Sequence, residues 1–466
     1  MGSRMNHQRE KTMYGTKHWI ATTLAAALLI TPATLGARAQ ETTGDAPAVL
    51  QPAPTSAAPE SAPVTDSDPA PSPADHTAPA DPLADAAMAG VHDALTVLPA
   101  AVRADLSPDD LRDALLAATL RAADPRAEIG VAEAAPLLWD SGLLLVGNED
   151  APIVAHVIPD SAASEAGIHA GDRLEEIAGA PAPKGYDIAA ASVSLRTGED
   201  AALPLKVRPA DGSDPREIEL ARRPIADTAA SERLPTGIGY IRFPRVGDGT
   251  GASIADALAP WTGDAAVSGI ILDLRSADGA PLAPDAIRDA CAPFALPGKI
   301  LYRVDPDSPS AITVAAPALA DRCRLPLMVL VDEATTGAAE LLAAALRSGA
   351  ESALLIGRPT AGDPLLRENR TLPGGRPVRL AVHILEAADG TRYDGRTGVL
   401  PTLSIPDRAL DEKPYEPAEP VLRKGKTLSD EEKEDRALRD RTRHDPYLRR
   451  ATDVLLGIQA LGREWR

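Results

Sequence analysis

The chain is 466 residues long and carries 48 Lys and Arg against 67 Asp and Glu, a formal net charge of −19. That sign excludes a nucleic-acid binder, which needs surplus cations to displace phosphate counterions, and aromatics at 3% leave little to stack bases on. Hydrophobic residues at 44% suffice for a core made of Ala, Leu, Ile and Val, whereas 44 prolines exceed what one compact domain holds and predict an unfolded stretch.

Residues 1–39 read as an export signal: Lys11 and Lys17 precede an apolar run from Trp19 to Ile30, followed by Pro32 and the small-x-small site Ala37-Arg38-Ala39. The run is shorter than the ~20 residues of a spanning helix. Cleavage after Ala39 is therefore expected, leaving no stable membrane span, and it removes five basic residues and one acid, shifting the net charge from −19 to −23. Residues 40–82, rich in Pro and Ala as in Pro69-Ala70-Pro71-Ser72-Pro73, have no apolar periodicity. They predict a disordered linker with too little hydrophobic area to offset chain entropy. From 83 to 136 the spacing turns helical, with Ser107 as N-cap, Pro108 in the first turn, and Leu111, Leu115, Leu116 and Leu120 on one face.

Between 137 and 225 the period shortens. Gly142 to Val146 and Ile153 to Ile158, separated by Asn148-Glu149-Asp150, predict a hairpin. Ser161-Ala162-Ala163-Ser164-Glu165-Ala166-Gly167-Ile168, Gly171-Asp172-Arg173-Leu174, a second helix from Asp187 to Leu195 and a late strand pair, 202–208 and 216–221, follow. In this order the motifs resemble a PDZ domain. The resemblance implies capture of peptide C-termini by strand addition at a sheet edge, with backbone amides holding the carboxylate. By position the candidate peptide-binding residues are Ser141, Gly142, Leu143, Leu144 and Leu145, with Leu143 standing where the family usually has glycine. His156 and His169, single histidines in this region, read as solvated strand or loop residues.

Residues 235–405 alternate apolar strands (238–243, 270–274, 325–331, 353–356) with an Ala/Leu-rich helix from Ala338 to Leu346, the pattern of an α/β core. After an export signal and a PDZ-like segment, six ordered motifs resemble the carboxy-terminal processing (tail-specific) serine peptidases: Gly239-Tyr240-Ile241-Arg242-Phe243, Ile271-Leu272-Asp273-Leu274-Arg275, Pro326 to Glu333, Gly357 to Gly362, Gly390 to Pro401, and Asp445-Pro446-Tyr447-Leu448-Arg449-Arg450-Ala451 in the 406–466 charged and helical end. The resemblance implies a layered α/β, crotonase-like peptidase core with an inserted PDZ domain and a small N-terminal helical segment. It implies no cofactor, peptide or protein C-termini as ligands, and a catalytic or envelope protein as a candidate partner.

That family uses a Ser-Lys dyad, in which a neutral lysine takes the serine proton and backbone amides hold the oxyanion. Glu340 anchors the register of its nucleophile motif and puts Gly337 where the serine belongs. The lysine position falls on Asp363, its polar support on Arg367, and the oxyanion segment keeps Gly279 but places Asp278 beside it. Lys299 is the one lysine between Gly237 and Pro401, and no histidine lies between Gly237 and Leu380, which excludes a Ser-His-Asp triad there. The expectation is an inactive peptidase homologue acting as a peptide-binding adaptor or regulator in the periplasm or cell envelope. One alternative is an active enzyme with Thr335 or Thr336 as nucleophile and Asp363 or Glu340 as base; another is a structural protein with a vestigial groove. Cys291 and Cys323 do not have zinc-ligand spacing and form a candidate disulfide, with free thiols as the alternative. The run Lys424 to Arg443, of alternating charge, reads as a solvated helix or tether.

Overall fold

The computed structural model describes residues 82–99, 107–130, 138–226, 228–261, 267–279, 284–319, 322–350, 352–364, 367–372, 375–393, 395–411 and 428–461. The expected export signal and, but for Pro82, the expected linker lie outside them. Two compact units divide the chain, one ending at Ala122 and the other covering Ala123–Arg466.

The first unit contains helices α1 (Pro82–Val97) and α2 (Pro108–Ala123). Ser107 caps α2, its Oγ accepting from Asp110 N at 3.4 Å. Asp109 and Asp110 in the first turn and Arg121 in the last complement the helix dipole.

In the second unit an antiparallel sheet contains β1 (Leu143–Val146), β2 (Ile153–Val157), β3 (Arg173–Ile177), β4 (Ala202–Arg208) and β5 (Arg216–Ala221), neighbours in that order. The inward alternation of Leu203, Leu205 and Val207 follows the two-residue period of β4. Two helices accompany this sheet. In α3 (Ala162–Glu165) the Ser161 side chain accepts from Ser164 N, and α4 (Ala189–Arg196) begins after an Asx turn in which Ala189 N donates to Asp187 at 2.8 Å. Its start is thus two residues later than expected. His156 in β2 is half-buried rather than freely solvated, and burial, with Arg441 nearby, pushes its pKa down to about 3.

The second sheet runs β6 (Ala230–Leu234), β7 (Ile238–Arg242), β8 (Gly269–Asp273), β9 (Leu327–Val331), β10 (Ala353–Gly357) and β11 (Leu403–Ser404). Only the β6–β7 pairing is antiparallel; the others are parallel. Strands β7, β8 and β9 are buried throughout, so their residues serve cores on both faces. Ile270, Leu272, Val329 and Val331 face one core with α5 (Thr250–Leu258), α6 (Pro284–Cys291) and α7 (Ala338–Gly349). Ile271, Met328 and Leu330 face another with α8 (Asp407–Leu410), α9 (Asp430–Thr442), α10 (Pro446–Ala460), Val146 of β1 and Ala155 of β2.

Two readings left open are decided among the described residues. Cys291 and Cys323 are free thiols, not a disulfide. Cys291 is packed among apolar side chains of the α6 core and Cys323 lies half-buried against the same core, so both are accommodated by packing. The described part of the charged run is the helix of the two readings: α9 is mostly exposed, with Leu438 and Thr442 buried and Arg441 5.5 Å from the Tyr240 ring.

Candidate functional site

Strand β9 ends in a turn that the loop after β8 braces. Asp332 accepts from the backbone N–H groups of Ser276 at 2.8 Å and Ala334 at 3.1 Å. Thr335, fully buried, uses its hydroxyl to bond Asp332 N at 3.0 Å and the Leu274 carbonyl at 2.9 Å, so that group closes the turn. Gly337 then takes φ +61° and ψ −130° at the N-terminus of α7, a left-handed conformation that a side chain adopts only under strain. A Cβ on Gly337 would stand 2.8 Å from the Gly279 carbonyl oxygen, and one on Gly279 would stand 2.2 Å from the Ala338 Cβ. Gly337 and Gly279, expected at nucleophile and oxyanion positions, are therefore brought together by backbone packing that excludes side chains at both.

Asp363 lies in a chain of alternating charges. Its carboxylate is 2.8 Å from Arg126 and 2.5 Å from Arg367, and Arg367 in turn makes a bidentate pair with Asp124 at 2.8 Å and 2.8 Å. Asp124 also accepts from Ala381 N at 2.9 Å and Arg126 N at 3.0 Å. Burial would raise its pKa, but Arg367 and these amides outweigh burial and hold it below the usual carboxylate range. Arg126 also donates to Thr336 Oγ1 at 3.2 Å and to the Ala361 carbonyl at 2.8 Å. Thr336 and Asp363 are thus held by one guanidinium, not by each other. A guanidinium does not give up its proton.

Glu340, fully buried on α7, accepts from Gly362 N at 2.8 Å, Asp363 N at 2.6 Å and the Thr360 hydroxyl. Burial pushes its carboxyl up to about 7 against the pull of those three donors. It anchors the 360–363 turn to α7. Sequence reading did not single out Asp124 and Arg126. Both lie more than 200 residues from Arg367, Thr336 and Ala361, and no spacing rule links them.

Of the candidate peptide-binding residues, Ser141, Leu143 and Leu145 line a separate feature, and Gly142 and Leu144 do not. A narrow pocket lies between β1 and α4, lined by Trp139, Leu143, Leu145, Leu195, Ile225 and Pro244 together with Asp140, Ser141, Ser192, Arg196, Arg242 and Ser276. Ser141, Leu143, Leu144 and Leu145 are all buried, and β1 is the terminal strand of its sheet. The loop amides at its head are already engaged: Gly142 N donates to Asp140 at 2.9 Å and Leu143 N to Ser141 Oγ at 3.2 Å. Among the described residues no group of three His, Cys, Asp or Glu is placed to hold a metal ion, and no helix is long and apolar enough to cross a membrane.

Residues 237–405, which hold the parallel-stranded core with its strand-to-helix turn at Gly337, match the family model for Peptidase family S41. The chain is similar in sequence to carboxyl-terminal processing proteases. It is 28% identical over 228 residues to the carboxyl-terminal-processing protease of Synechocystis sp., covering 48% of this chain and 52% of that one. To the carboxy-terminal processing protease CtpA of Bacillus subtilis it is 28% identical over 278 residues, covering 59% and 58%. The chain spans about half the length of the curated relatives it matches. Among solved structures, a photosystem II D1 C-terminal processing protease is 22% identical, with 65% of this chain and 84% of that one covered at a TM-score of 0.42.

Proposed function

We propose that the protein is an exported, catalytically inactive homologue of the carboxyl-terminal processing peptidases that binds peptide or protein C-termini through a PDZ domain at 137–225, as an adaptor or regulator in the cell envelope. One observation carries the loss of chemistry: Asp363, at the position of the family's lysine, is paired with Arg126 and Arg367. No general base stands there, and Gly337 has no atom with which to attack. The rearranged alternative is disfavoured at each residue it needs. Thr335 is committed to its turn, Thr336 faces a cation that takes no proton, and Glu340 is used by three donors. Peptide binding is supported by the pocket, part apolar and part cationic, between an edge strand and a helix.

The test is an assay of the purified full chain on an unstructured polypeptide, followed by mass spectrometry. No cleavage is expected, from the native protein or from Thr336→Ala. Cleavage that Thr336→Ala abolishes would overturn the reading. Binding of free C-terminal peptides by calorimetry separates the adaptor from a purely structural role, for which no binding is expected.

A further inference from the structure

Strand β7 ends at Arg242, whose side chain enters the pocket between β1 and α4 from the core. Arg242 is 4% exposed, and its Nε has no hydrogen-bond partner. Among the described residues no carboxylate lies within ion-pair distance of its guanidinium. A buried, permanently charged group without a partner is costly and points to an anion that belongs beside it. The neighbouring cation, Arg196, is already used: it donates to the Ser276 carbonyl at 2.5 Å and lies 3.6 Å from Asp278. The backbone amides that would hold a carboxylate in a PDZ domain are also used, one by Asp140, whose negative charge opposes a second carboxylate there, and one by Ser141.

Building on the peptide-binding reading above, we infer that the carboxylate of a bound C-terminus is received by Arg242 of the peptidase-like core and not by the amides of the Ser141–Leu143 loop. The chain would lie along β1, its last side chains against Leu143, Leu145, Leu195 and Ile225, with its terminal oxygens at the core end of the pocket. A guanidinium presents two parallel donors to a carboxylate, which suits it to this role. The preferred ligand is thus an extended chain with an apolar end and a free carboxylate.

The test uses the full chain and two fluorescein-labelled decapeptide pools, randomised except for Ala, Val or Leu at the last three positions, one with a free carboxylate and one amidated. Fluorescence anisotropy is expected to show the free-acid pool bound at least about ten-fold more tightly, as a charge-assisted hydrogen bond would give. Arg242→Gln should bring the free-acid affinity down to that of the amide, and Arg242→Lys should keep part of the preference, with circular dichroism showing both variants folded. Equal binding of the two pools by the native protein overturns the inference while peptide binding stands. An undiminished preference in folded Arg242→Gln overturns it as well, since the carboxylate is then held elsewhere. Binding of neither pool overturns the peptide-binding reading and this inference with it.

Discussion

Arg367 and Arg126 both touch Asp363, yet they differ in how much each holds. The side chain of Arg367 is 9% exposed and faces Asp124 at 1%, whereas that of Arg126 is 41% exposed. Removing one partner of a buried pair strands the other charge, at about 3–5 kcal/mol, while a half-exposed pair contributes ~0–1 kcal/mol. Arg367→Met is therefore expected to lose about 3–5 kcal/mol of unfolding free energy in urea and Arg126→Ala no more than about 1 kcal/mol. Equal losses would show that the four charges do not form a graded chain with its buried end at Asp124. At this scale the sequence was legible in one direction only. Register with the resembled motifs led to the expectation that 337 and 363 stand where a serine and a lysine would be. What meets Asp363 and Arg367 there, Arg126 and Asp124 from a segment more than 200 residues away, had no local signature.

At the scale of elements, strands buried on both faces leave unbroken apolar runs, which is why 238–242, 269–273 and 327–331 could be read directly. The strands Arg367–Thr371 and Pro377–Ala381, which pair with each other and position Arg367 and Ala381 against Asp124, could not be. The first is polar along its length and mostly exposed, so neither period nor composition marks it. The family motifs at Asp273-Leu274-Arg275 and Asp445-Pro446 gain a physical account as one joint between elements. Arg275, 1% exposed, bonds Asp273 at 2.6 Å at the end of β8 and Asp445 at 2.7 Å at the start of α10, and lies 5.1 Å from the Tyr447 ring. Asp445 meanwhile caps α10 through Leu448 N at 3.0 Å. Arg275→Met leaves two fully buried carboxylates unpaired and is expected to cost at least about 3–5 kcal/mol. Urea denaturation followed by circular dichroism reads this loss, and a change below about 1 kcal/mol, the level of a surface pair, would mean the joint does not hold α10 to the sheet.

Across the whole molecule, the proposed loss of chemistry is not confined to two side chains, and this sets an expectation for restoring it. Gly337→Ser alone must place a Cβ 2.8 Å from the Gly279 carbonyl oxygen at φ +61°, which costs about 1–3 kcal/mol in backbone strain before any displacement of the 276–279 loop. Asp363→Lys alone replaces the only acid between Arg126 and Arg367, leaving three cations around Asp124. A lysine there would lose its proton readily, as a general base should, but Arg126 would still occupy Thr336 and the Ala361 carbonyl beside it. The double variant is therefore expected to be less stable than the native chain and to remain inactive on a fluorogenic unstructured substrate. Activity should require Arg126→Ala in addition, together with a backbone shift that withdraws the 276–279 loop from residue 337. If the double variant cleaved substrate at once, the surrounding scaffold would be that of a working peptidase lacking only two groups. The Arg126–Asp363–Arg367–Asp124 chain would then be a consequence of those two substitutions and not a refitting of the site.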